Sequence, residues 1–156
     1  MKWVLVDFKT AKEEWFDQAA EQYVKKIKPF VDFEIQHLKT MRVDRDEATI
    51  KIKFEEKVLF EKIKPEDFVI LLDEKGKTLS SIEFSKTISN IQQSGKKQAL
   101  FVIGGAYGVS DSVKKRAQLT LKLSDFVMNH LVAEVVILEQ FYRALTIIHR
   151  IPYHNS

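Results

Sequence analysis

The chain has 156 residues, 45% hydrophobic and 30% charged, a formal net charge of +3 and no cysteine. That is one globular domain with room for a core, and it excludes a disulfide scaffold, a cysteine nucleophile and a thiolate metal site. The mild excess of base is compatible with nucleic acid without arguing for it. The first apolar stretch is too brief for a signal peptide, and no run approaches the ~18 residues of a membrane span, so a cytoplasmic protein is expected.

Met1 to Asp7 reads as a short strand. Trp15, Ala19, Tyr23 and Ile27 recur every four residues and predict a helix from about Thr10 to Lys28, stopped by Pro29. Val31, Phe33 and Ile35 alternate with polar residues as a half-exposed strand. Met41 to Asp46 is charged and reads as a mobile loop. Glu47 to Ile63 follows as a helix with Ile50, Phe54, Val58 and Leu59 inward and Lys51, Lys53, Lys57 and Lys62 on a basic side. Phe68 to Leu72 is continuously apolar, the pattern of a strand covered on both faces, and Asp73 to Lys77 reads as a solvated turn.

Ser80 and Glu83 have capping-box spacing and open a helix with Phe84, Ile88 and Ile91 inward. Ala99 to Ile103 is a second buried strand, Ser110 caps a helix to about Gln118, and Leu119, Leu121 and Leu123 alternate as a last strand. Leu131 to Ile148 is a helix apolar around much of its circumference, which needs cover on more than one side, from the core and a partner subunit. Alternating strands and helices of this kind predict an α/β layered fold with a mostly parallel sheet flanked by helices.

All five glycines lie between Gly76 and Gly108, and Gly104, Gly105 and Gly108 close a buried strand. In open α/β sheets ligands bind beyond such strand ends. The cluster lacks the leading glycine of a dinucleotide fingerprint, and no Walker lysine accompanies it, so a tight turn explains it equally well. Asp73 and Glu74 are adjacent, point apart and make a poor catalytic pair. His130, Glu139, Arg143 and His154 lack the spacing of a metal motif. Glu139 and Arg143, four apart, read as an intrahelical ion pair. Arg143, Tyr142, Arg150, Tyr153 and His154 together suit stacking on bases and gripping phosphates, or equally a basic amphipathic terminus.

In combination these segments resemble the small single-domain SPOUT RNA methyltransferases of the RlmH type. The likeness rests on the Met1-Lys2 opening, Leu72-Asp73-Glu74-x-Gly76-Lys77 with Ser80-Ser81, and Val102-Ile103-Gly104-Gly105-Ala106-x-Gly108. It continues through Leu123-Ser124, His130, Glu139-Gln140-x-Tyr142-Arg143-Ala144 and Pro152-Tyr153-His154.

The resemblance implies an α/β fold with a C-terminal trefoil knot, a homodimer through the last helix, and transfer of a methyl group from S-adenosylmethionine to N3 of a pseudouridine in large-subunit ribosomal RNA. The target would be reached within the assembled ribosome, with no metal and no membrane. Cofactor contacts would fall on Leu72, Gly104 and Gly105, and on Leu123, Ser124, Asp125, Phe126, Val127 and Met128. The tail would place Tyr153 and His154 beside His130 and Arg143 of the other subunit. Arg143 would orient a phosphate or carbonyl and stabilise charge, while His130 or His154 accepts the proton.

Asp7-Phe8-Lys9 stands where the family has a V-G-K stretch with its glycine, Asn129 where it has proline, Glu134 where arginine is common, and Asn155-Ser156 where a basic residue is usual. A threonine of the family's loop gives way to Val127 or its neighbourhood. A non-catalytic homologue that binds ribosomes or RNA is the second reading.

Overall fold

The computed structural model describes residues 1–8 and 12–155. Its elements are β1 (Lys2–Phe8), α1 (Glu14–Ile27), β2 (Asp32–Leu38), α2 (Ala48–Lys62), β3 (Phe68–Thr78), α3 (Ser81–Gln92), β4 (Gln98–Ile103), α4 (Asp111–Arg116), β5 (Leu119–Lys122) and α5 (His130–Ile148). The strands make one sheet in the order β2-β1-β4-β3-β5, and every neighbouring pair is parallel. The predicted α/β architecture is therefore present.

Successive strand residues point to opposite faces, so the apolar runs of β1, β3 and β4 feed two cores at once. Trp3, Leu5, Ile70, Phe101 and Ile103 pack on one face with Phe16 of α1, Phe84 and Ile88 of α3, and Phe141 and Leu145 of α5. Val4, Val6, Val69, Leu71 and Val102 pack on the other with Leu59 of α2 and Val113 of α4. Phe141 is fully buried and lies 4.6 Å from the ring of Phe101 and 5.6 Å from Trp3.

The structure corrects several sequence expectations. In α1 the buried residues are Phe16, Ala20 and Ile27, while Trp15 is 50% exposed. Two apolar stripes one residue apart share this helix: Ile27 is buried and Tyr23 packs on the core as predicted, while towards the N-terminus Phe16 and Ala20 replace Trp15 and Ala19. The start predicted near Thr10 lies outside the described residues. In α2 only Leu59 of the four predicted apolar positions is buried, Ile50 is 55% exposed, and Glu55 takes an inward position. Lys51 belongs to the covered side as well, 3.9 Å from Glu55.

Two boundaries also move. β3 does not end at Leu72. It resumes pairing at Lys77, so both Leu72 and Lys77 lie opposite Leu121 and the intervening residues bulge out. A Cβ on Gly76 would stand 2.5 Å from the Leu121 carbonyl carbon, so only glycine passes β5 here. α4 stops at Arg116 because Gln118 is already engaged with the sheet, its N–H donating to the Val69 carbonyl at 2.9 Å.

Candidate active site

β4 and β5 end beside the mid-strand bulge of β3, beneath a cleft of about 740 Å³. The chain reverses direction across the sheet here: β4 lies to one side of β3 and β5 to the other, the arrangement in which α/β sheets leave a ligand crevice. Leu72, Gly104, Gly105, Leu123, Ser124, Phe126, Val127, Met128 and His130 line it. Of the predicted cofactor residues, Asp125 alone is not in the lining. Its carboxylate turns outward to Lys122 Nζ at 2.5 Å.

Two features shape the glycine loop. Gly108 has φ +85°, a left-handed conformation that side chains resist, and its N–H donates to the Gly105 carbonyl at 3.0 Å. A Cβ on Gly104 would come 2.6 Å from Val109 Cγ1, and one on Gly105 would overlap the carboxylate of Glu55. Glu55 is held by Thr40 Oγ1, which donates to it at 2.6 Å, and burial pushes its carboxyl up. The bare loop backbone thus reaches the cleft from one side, with apolar Leu72, Ile103, Leu123 and Met128 near it. Apolar walls with exposed backbone polar groups suit an adenine ring and a flexible sulfonium, so the residues present fit S-adenosylmethionine.

His130 is placed by a cap. Asn129 Oδ1 accepts from the Leu131 N–H at 2.9 Å, which starts α5 at His130, at the cleft edge. Beneath it lies a polar cluster that sequence reasoning missed. Asp7 and His37 face each other across β1 and β2. Asp7 is fully buried. Its Oδ1 lies 2.5 Å from His37 Nδ1 and its Oδ2 3.3 Å from His130 Nε2. Burial alone would push the Asp7 carboxyl up. Hydrogen bonds with His130, His37 and the Glu134 carboxyl outweigh it and hold the group well below the usual carboxylate range.

Asp7 and Glu134 therefore occupy one cluster. The single signal for it in the sequence is a carboxylate inside an otherwise apolar strand. Polar side-chain atoms of Asp7, His130 and Glu134 lie within 4.8 Å of one another, and Asp7 meets His37 and His130 at hydrogen-bond separations.

The other predicted catalytic residues gather elsewhere. Glu139 Oε1 accepts from Arg143 Nη2 at 2.5 Å and from the Tyr153 hydroxyl at 3.0 Å, bearing out the intrahelical pair. Arg143 Nη1 meets His154 Nδ1 at 3.1 Å, and the guanidinium lies 4.7 Å from the Tyr153 ring centre. Glu139 raises the Arg143 pKa, and burial followed by Glu139 raises that of Tyr153. Arg143 thus keeps company with the tail of its own chain. It stands thirteen residues along α5 from His130, about 20 Å at the helical rise.

A layered parallel sheet with a glycine-loop cleft at its edge is the arrangement of an α/β ligand-binding protein. The family model described as predicted SPOUT methyltransferase matches residues 1–154, and the chain belongs to that family. It is 50% identical over 155 residues to ribosomal RNA large subunit methyltransferase H of Bdellovibrio bacteriovorus, covering 99% of each chain. The protein of that name from Natranaerobius thermophilus is 34% identical over 161 residues, again 99% of each. That from Porphyromonas gingivalis is 31% identical over 157 residues and the whole of both chains.

Proposed function

We propose that this chain methylates N3 of a pseudouridine in large-subunit ribosomal RNA, with S-adenosylmethionine in the cleft and the assembled ribosome as substrate in the cytoplasm. The observation that carries the reading is the cleft itself: a bare glycine loop, apolar walls and His130 at one edge. Full-length similarity to proteins named ribosomal RNA large subunit methyltransferase H supports the choice of substrate. Among the described residues no helix is long and apolar enough to cross a membrane.

The sulfonium of S-adenosylmethionine supplies an electrophilic methyl carbon. The chain's own task is to hold the nucleotide in line with it and to remove the N3 proton. Leu72, Gly104, Gly105 and the loop Leu123 to Met128 hold the donor. His130 accepts the proton. Arg143, aligned by Glu139, grips a phosphate or carbonyl and stabilises the developing negative charge, with Tyr153 and His154 beside it.

His130 and Arg143 lie too far apart in one chain to serve one base, so the working site combines two subunits. Phe126 is 85% and Val127 87% exposed on the cleft rim, and Val132 on α5 is 42% exposed. These apolar side chains and the half-buried faces of α5 suit a homodimer interface. A C-terminal trefoil threading belongs to the same proposal.

The test is transfer of labelled methyl to ribosomes from cells lacking the protein, followed by mapping of the modified base. Label at N3 of one large-subunit pseudouridine is the expected result. Donor binding without label would mean a different substrate. Loss of both would establish a non-catalytic ribosome binder instead.

A further inference from the structure

We propose that Asp7 is a positioning residue for His130: its buried carboxylate, clamped by His37, accepts a hydrogen bond from His130 Nε2 and leaves the Nδ1 lone pair as the proton acceptor for methyl transfer. The inference rests on the reading of the cleft as a methyl-transfer site.

The geometry has three parts. β1 puts Asp7 on the sheet face shared with Trp3 and Leu5, the face that α5 covers. The parallel register sets His37 directly opposite Asp7. The Asn129 cap then fixes where His130 begins α5, with its side chain 26% accessible and lining the cleft. Each carboxylate oxygen of Asp7 thereby meets one histidine, with the Glu134 carboxyl as a further partner.

A fully buried carboxylate is strongly unfavourable unless hydrogen-bonded, and Asp7, 0% exposed, is held by its partners. Its hydrogen bonds keep it ionised throughout the neutral range, so it orients the imidazole and faces the resulting imidazolium without taking the proton itself. The ionisable groups around the pair are His37 from β2, Glu134 from α5, and Glu55 from α2, which interacts electrostatically with His130.

The chemistry balances. The N3 proton moves to His130 Nδ1, and the N3 electron pair forms the new bond to the methyl carbon. The sulfur–methyl bond breaks with its electrons on sulfur, giving the neutral thioether, and the imidazolium later gives its proton to solvent.

The experiment has two arms on the purified full-length protein. In the first, nitrogen-15 NMR of the imidazoles, assigned with His130→Ala, reads the tautomer of neutral His130 in the wild type. Protonated Nε2 with bare Nδ1 is expected, and the opposite tautomer overturns the proposal. In the second, Asp7→Asn is expected to lower turnover on ribosomes by on the order of 10²-fold with donor affinity unchanged. Added to His130→Ala, it is expected to cost nothing more, because the two act as one unit.

Wild-type turnover in Asp7→Asn, or a loss that multiplies with that of His130→Ala, overturns the proposal. Should Asp7→Asn fail to fold, the wild-type tautomer still decides. A wild type that shows the expected tautomer but methylates no ribosome sinks the functional reading and leaves the Asp7–His130 orientation standing.

Discussion

Glu55 and Asp7 show how two buried carboxyls acquire opposite pH behaviour from their partners. Glu55, 4% exposed, is pushed up by burial despite the Thr40 hydroxyl and Lys51 beside it. A folded pKa above the unfolded value near 4.3 means that its contribution to stability is full below that pH and is lost as pH rises through the folded value. Asp7 is held down, so its contribution is present above the unfolded value near 3.9 and is lost as pH falls through the folded one. Glu55→Gln keeps an acceptor for Thr40 and removes the charge. Its Tm advantage over wild type is expected to grow as pH climbs from about 4 towards neutrality. A difference that stays flat across that range would show that the charge is not what burial penalises.

Helix starts set what each helix can do, and two of them are built differently. α3 opens with a full capping box in which Glu83 N–H donates to Ser80 Oγ at 3.1 Å and Ser80 N–H to Glu83 Oε2 at 2.7 Å. α5 opens on Asn129, whose side chain accepts from the Leu131 N–H with no reciprocal partner from the first turn among the described residues. Loss of either cap costs about 1 kcal/mol, roughly 2–4 °C in Tm for a domain of this size. Ser80→Ala and Asn129→Ala are thus expected to lower Tm by similar amounts. Only Asn129→Ala should also reduce turnover on ribosomes, because His130 is the residue its cap places. Equal turnover in the two variants would separate the cap from the chemistry.

At the scale of the whole molecule, the proposed site is divided between the two ends of α5. His130 lies over the cleft, while Arg143, Tyr153 and His154 converge on Glu139. If each working site takes His130 from one subunit and Arg143 from the other, His130→Ala and Arg143→Ala are complementary defects. Mixed and reassociated, the two inactive variants are expected to recover about a quarter of wild-type turnover, since half the dimers are heterodimers with one intact site each. No recovery in dimers shown to have exchanged subunits would place the whole site within one chain.

Local patterns in the chain were enough for the elements and the cleft. Periods of two and of about four, continuous apolar runs and cap residues marked the strands and helices, because these signals depend only on neighbours a few residues away. Ser80 and Glu83 announced a cap, and Gly104, Gly105 and Gly108 a strand-end turn at the ligand edge of the sheet. The same locality explains the misreadings. Trp15 and Phe16 are adjacent and both apolar, so only packing against α5 and the sheet decides which is buried. Glu55 sits among apolar helix residues, and its inward place follows from Thr40 and the Gly105 backbone.

Asp73 to Lys77 looked like a turn because no local signal says that the strand resumes pairing with β5 at Lys77. Asp7 and His130 are 123 positions apart. Their meeting depends on β1 lying inside the sheet, β2 pairing with it in one register, and α5 returning over that face. Strand order and register are global properties of the packed chain, and they placed the buried carboxylate beneath the histidine.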